Sequence, residues 1–156
     1  MTTPSAYRVA GNGVVTETIS GANIICTWKT RYRIATYMIN FAAANYSNYQ
    51  YTINTGGINR PVMNYLYSSD NTSTYKSYVD VIKNILPAYV TLLNDNYPFL
   101  NEKYGIAVCY GNWGALEVQS MTFCSSGSFD DYTLAHELAH QWFADKLTTT
   151  TGTRYG

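Results

Sequence analysis

Charge is scarce in this chain: Asp, Glu, Lys and Arg make up only 13% of its 156 residues, and the two signs balance at 10 each. No basic stripe or charged block stands out, so nucleic acid and anionic membrane surfaces are not expected partners. Long apolar runs are missing as well; none approaches the ~18 residues that a membrane-spanning helix needs. The N-terminus, MTTPSAYRVAGNG, lacks the basic and apolar stretches of a secretory signal, and the chain as written reads as soluble. Cysteine is limited to Cys26, Cys109 and Cys124, at no metal-binding spacing and in a number that forbids full pairing. Buried free thiols are expected, with a Cys109–Cys124 disulfide as the rival. Histidine occurs only twice.

What is present is apolar and aromatic. At 46% apolar the chain is long enough for one core and short for two. Its 16 tyrosines, with abundant Asn, Ser and Thr, suit an extracellular or cell-envelope protein better than a cytosolic one, and most of the tyrosines should be core or strand-face residues. N-glycosylation sequons stand at Asn45 and Asn71.

Residues 1–21 are polar and read as peripheral. Strands are expected over Asn23–Trp28 and Ile34–Tyr46, the second pairing with Tyr49–Asn54 through a Ser47-Asn48 turn. Gly56-Gly57 marks a break, and Pro61–Tyr67 reads as a strand with Pro at its first position. From Tyr75 to Leu93 the apolar residues repeat at helical spacing, with a kink or split expected at Pro87. A turn over Asn94–Pro98, a strand at Tyr104–Tyr110, a tight loop at Gly111–Gly114 and a half-exposed strand at Glu117–Phe123 follow. After a flexible link at Ser125–Ser128, Asp130 and Asp131 stand where a helix N-terminus favours a cap and negative charge. That helix is expected to run to about Lys146, before the Thr148–Gly152 tract.

It carries both histidines. Residues 136–140 read His-Glu-Leu-Ala-His, and positions i and i+4 share a helix face, so His136 and His140 can offer two imidazole nitrogens to one ion. Zinc suits them, since it takes nitrogen and oxygen ligands tetrahedrally at about 2 Å and leaves a place for a water whose pKa falls towards ~7. Glu137, beside that water, can take its proton. The neighbouring Leu134, Ala135, Leu138 and Ala139 make the helix apolar, where unliganded histidines would be costly. Trp142 and Phe143 read as packing residues, and Asp145 as a candidate to orient a ligand histidine.

Beyond this motif, Gly114-Ala115-Leu116-Glu117, Ser120-Met121-Thr122-Phe123 and the extended stretch His136–Thr148 together resemble the aminopeptidase N family of zinc gluzincins. Ile34–Tyr37, Tyr97-Pro98-Phe99 and Lys103-Tyr104-Gly105 resemble flanking segments, so the likeness covers about residues 24–156. It implies an α+β fold: the N-terminal, mixed-sheet half of a thermolysin-like catalytic domain, with the HExxH helix and without the lower helical half. Residues 1–23 would be a tail or the remnant of an N-terminal β domain. It also implies zinc as cofactor and a peptide as substrate, with Glu117 binding the free α-amino group and Gly114 and Ala115 offering backbone hydrogen bonds. Leu116 and Val118 stand where the family has Met and Asn.

In that family the third zinc ligand is a glutamate that would fall at position 159, past Gly156, and the catalytic tyrosine lies further downstream. The chain is therefore expected to be a truncated portion that binds zinc weakly and has little activity of its own. A non-catalytic gluzincin-like scaffold and a zinc endopeptidase are the alternative readings.

Overall fold

The computed structural model describes residues 1–70 and 73–147; the sequon at Asn71 and the Thr148–Gly152 tract lie outside the described residues. Among the described residues ten strands and three helices are formed, together with a 3₁₀ turn at Thr36–Met38. The strands are β1 (Thr2–Pro4), β2 (Arg8–Gly11), β3 (Val14–Ser20), β4 (Asn23–Lys29), β5 (Phe41–Ala44), β6 (Tyr46–Thr55), β7 (Ile58–Tyr67), β8 (Ile106–Cys109), β9 (Ala115–Val118) and β10 (Met121–Ser125). The helices are α1 (Ser73–Asp80), α2 (Ile82–Leu92) and α3 (Asp131–Ala139). The class is α+β.

The organising element is a five-stranded mixed sheet in the order β6-β7-β8-β10-β9. β7, β8 and β10 run parallel, while β6 and β9 pair antiparallel at the two edges. Side chains alternate across a strand, so Ile106 and Val108 face one layer and Ala107 the other. On the first face they meet Val79, Ile82, Leu86, Leu134, Leu138 and Trp142 from the helical side. On the second, Ala107, Met121 and Phe123 pack with Ala10 of β2 and Met38 of the 3₁₀ turn. Both faces are covered, and so β10 is buried at every position.

The tight β6–β7 hairpin forms because Gly56 and Gly57 both take positive φ, 58° and 78°, the backbone of a two-residue turn whose twist matches its strands. Tyr49 and Tyr51 of β6 reach the helices, their hydroxyls donating to Asp80 Oδ1 (3.0 Å) and the Val79 carbonyl (2.8 Å).

Several local expectations are corrected. Residues 1–21 are not merely peripheral: they contain three strands, with Val9 and Ala10 buried. Ile34–Tyr46 is not one strand but the 3₁₀ turn followed by short β5, which pairs with β2. Ser47 and Asn48 lie inside β6, whose partner is β7, and Pro61 stands within β7 rather than at its start. The long helix divides at Val81, and Pro87 is accommodated inside α2. Glu117–Phe123 is not a single strand, because Ser120 takes φ 64° and folds it into the β9–β10 hairpin. α3 stops at Ala139, well short of Lys146; Ala144 at φ 93° is incompatible with continuing the helix. The cysteines are free thiols, with Cys26 and Cys124 buried and Cys109 half-buried. Among the described residues no helix is long and apolar enough to cross a membrane.

Candidate metal centre

α3 starts where Asp130 caps it, accepting from the Thr133 backbone N–H at 2.9 Å and from the Thr133 hydroxyl at 2.8 Å. These bonds hold the Asp130 carboxyl below its ordinary pKa. A cap of this kind stabilises a helix by about 1 kcal/mol. Leu134 and Leu138 bury one face in the core. Helical periodicity then turns the i, i+4, i+8 row of Tyr132, His136 and His140 the other way: Tyr132 and His136 are exposed and His140 half-buried. The histidines therefore face open space, and the expectation that an apolar helix would enclose them is corrected. Trp142 is core, and Phe143 is half-exposed.

The two imidazoles converge. His136 Nε2 and His140 Nε2 lie 3.1 Å apart. Two nitrogens on one tetrahedral zinc at 2.0–2.1 Å would stand about 3.3 Å from each other, so the pair fits the ion with almost no movement. His140 Nδ1 lies 3.1 Å from the Phe143 carbonyl, an acceptor that puts the proton on Nδ1 and leaves Nε2 a lone pair for a metal. That orienting group is the Phe143 carbonyl and not the Asp145 carboxylate. Among the described residues no cluster of three or more His, Cys, Asp or Glu is placed to hold a metal, so the two histidines account for two ligands.

Glu137, unlike the exposed His136 before it, is buried. It is 6% exposed, and its Oε2 is buried without a partner among the described residues. Burial raises its pKa, the Glu117 charge raises it further, and His136 and His140 oppose the rise. Asp145 is buried with both oxygens unpartnered, and desolvation pushes it up to about 7 against the pull of His140. Among the described residues, three carboxylates thus lie near two imidazoles, and neither Glu137 nor Asp145 has a salt-bridge partner.

Glu117 comes from β9, which among the described residues has no strand on its outer side. Alternation puts Ala115 and Glu117 on the α3 side, Ala115 against the helical core, and sends Val118 to the opposite core. Gly114, at φ 93°, opens the strand, and its carbonyl accepts from Ser125 N–H at 2.9 Å. The predicted residues His136, Glu137, His140, Glu117, Gly114 and Ala115 are thus brought to one side of the sheet by two elements.

Sequence reasoning placed Gln141, Ser120 and Lys103 in the resembling segments but assigned them no structural role. Gln141 is wholly buried and joins α3 to the β9–β10 turn through Ser120 N–H (2.7 Å) and the Val118 carbonyl (3.1 Å). A signal for it existed. Leu134, Leu138 and Gln141 fall at i, i+4, i+7, the buried stripe of the helix, where a glutamine announces a polar partner inside the core.

No family model and no curated protein matches the chain. Solved structures do. An M1 zinc metallopeptidase from Deinococcus radiodurans superposes with a TM-score of 0.80 at 22% identity, over 94% of this chain and 34% of that one. A point mutant of the Deinococcus radiodurans enzyme bound to a Tyr-Ser-Ala substrate superposes with a TM-score of 0.77, again at 22% identity and the same coverage. The likeness establishes a shared fold, and the chain spans about a third of the length of these structures (34%).

Proposed function

We propose that this chain is part of the catalytic portion of a zinc aminopeptidase of the aminopeptidase N type, which removes N-terminal residues from peptides. The observation that carries the reading is the 3.1 Å convergence of His136 and His140 Nε2 beside the buried, half-unpartnered carboxylate of Glu137. In this reading residues 24–156 belong to the catalytic domain, and residues 1–23 are the remnant of an N-terminal β domain or a tail.

His136 and His140 would hold the metal through Nε2. Zinc bound there supplies a Lewis acid that polarises a peptide carbonyl and makes water a nucleophile near neutral pH. Glu137 is the general base: its raised pKa suits a group that takes a proton from the attacking water and returns it to the leaving amine. Glu117 holds the substrate ammonium. An ammonium there satisfies a carboxylate whose charge otherwise repels Glu137, and it fixes the peptide so that its first bond meets the base. The open edge at Gly114 and Ala115 offers backbone hydrogen bonds to an extended chain. The 156-residue chain alone should bind zinc weakly and turn over little peptide, because its described residues supply only two ligands.

The test compares cleavage of a peptide with a free N-terminus and its N-acetylated form by the full-length, zinc-loaded protein. The aminopeptidase reading expects the free peptide to be strongly preferred, and Glu137→Gln to bind zinc while losing at least ~10³-fold in kcat. Equal rates on both peptides would point to an endopeptidase. No cleavage of either, with zinc bound, would point to a non-catalytic scaffold.

A further inference from the structure

The hairpin that carries Glu117 is fixed to the helix that carries the histidines by one side chain. Gln141 directly follows His140, and Val118 directly follows Glu117. The Gln141 side-chain amide accepts from Ser120 N–H (2.7 Å) and donates to the Val118 carbonyl (3.1 Å), closing the turn as a further peptide group would. Among the described residues these are the only hydrogen bonds that join the His136–Gln141 segment to the β9–β10 hairpin. The amide is itself held, since the Tyr97 hydroxyl lies 3.3 Å from Gln141 Oε1 and 3.3 Å from the Lys103 carbonyl.

The rest of the turn is tied from behind. Lys103 Nζ donates to the Ser120 and Gly11 carbonyls, both at 2.8 Å. Gly13 N–H donates to Ser120 Oγ at 2.7 Å, and Asn12 Nδ2 to the Gln119 carbonyl at 2.7 Å. The N-terminal strands and Lys103 thus hold the turn from one side, while on the other, among the described residues, Gln141 supplies its hydrogen bonds to the histidine segment.

We infer that Gln141 is a positioning residue that sets the spacing between the ammonium-binding Glu117 and the His136–His140 pair, and thereby the one-residue register of cleavage. This rests on the aminopeptidase reading. Gln141→Met would leave the buried Ser120 N–H and Val118 carbonyl without their partner and so costs stability as well; the positioning role is the separate matter of holding a distance to a fraction of an ångström.

The test measures dissociation constants of L-leucine and N-acetyl-L-leucine, which carry no bond to cleave at the amino-acid carbonyl, for the full-length, zinc-loaded protein by calorimetry, together with its zinc affinity. Wild type should prefer the free amine, and Glu117→Gln should abolish that preference. Gln141→Met should reduce it about tenfold with zinc affinity changed by less than about twofold. In the metal-free protein the same variant should expose the Ser120 amide to hydrogen exchange. Asn12→Ala, which cuts the same turn loose from the far side, should leave the preference intact.

An undiminished preference in folded Gln141→Met overturns the inference, as does an equal loss in Asn12→Ala or a parallel loss of zinc affinity. If Gln141→Met does not fold, Tyr97→Phe, which removes only the hydroxyl supporting the amide, should lower the preference about threefold, and an unchanged value there overturns it. A wild type that does not distinguish the two probes removes the aminopeptidase reading before any variant is made.

Discussion

The two ends of β9 are built on opposite principles. At its turn, Gln119 and Ser120 are buried and every polar connection is made: Gln141, Lys103, Asn12 and Gly13 all bond to them within 3.1 Å or less of the Val118–Ser120 backbone and the Ser120 hydroxyl. A few ångströms along the strand, Glu117, Glu137 and Asp145 crowd negative charge near two histidines, with three carboxylate oxygens left unpartnered. Saturated bonding fixes a geometry, whereas unsatisfied buried charge waits for something to arrive. The contrast separates the part of the hairpin whose polar groups are paired from the part whose carboxylates are not.

That contrast can be broken most sharply by exchanging damage between its halves. Lys103→Met leaves the Gly11 and Ser120 carbonyls without their buried donor and should cost about 4 kcal/mol in urea-denaturation stability. Glu117→Gln, at the other end of the same strand, should change stability by less than ~0.5 kcal/mol. A large loss from Glu117→Gln, or none from Lys103→Met, would erase the distinction.

A pH titration sharpens it. Asp145 holds its proton up to about 7 in the folded protein and to its ordinary 3.8 when unfolded, so the folded state binds more protons across that window. The metal-free protein should therefore be most stable below pH 3.8 with respect to this group and lose up to about 4 kcal/mol as pH rises to about 7. Asp145→Asn should remove that slope. Lys103 runs the other way: burial lowers its pKa from 10.5 to about 7, so its contribution improves as pH climbs from 7 towards 10.5, and Lys103→Met should flatten the alkaline limb.

The smallest effect concerns the backbone after α3. Ala144 at φ 93° occupies a region that L side chains rarely adopt. Ala144→Gly should raise the melting temperature, with a gain of about 1 kcal/mol, and leave the His136–His140 separation unchanged.

The convergence of His136 and His140 was legible because it needs only one turn of helix: i and i+4 determine the face whatever surrounds it. Glu137 and the α3 cap followed from equally local rules. Glu117 could be named from the Gly114–Glu117 stretch, but the hairpin that aims it could not, since Ser120 is an uncommon residue for a left-handed turn and its conformation is held by Lys103, Gly13 and Gln141 from elsewhere in the chain. β1, β2 and β3 escaped for a related reason. Two of them pair with strands some twenty or more residues away, β1 with β4 and β2 with β5, so their short polar stretches carry little alternation of their own. The end of α3 was overrun because helical spacing continues through Trp142 and Phe143, while the backbone of Ala144 does not.

The bonds from Asn12 to Gln119 and from Gly13 to Ser120 each span 107 positions of sequence. Contacts of such high order form late, because the chain between them must be closed before they give anything back. On a ribosome the N-terminal strands emerge first and have no turn to hold until β9 and β10 follow, and Gln141 comes later still. The part of the molecule that ends up most firmly fixed is thus among the last to be assembled, and folding conditions that hurry the N-terminal strands would leave the Glu117 hairpin the first casualty.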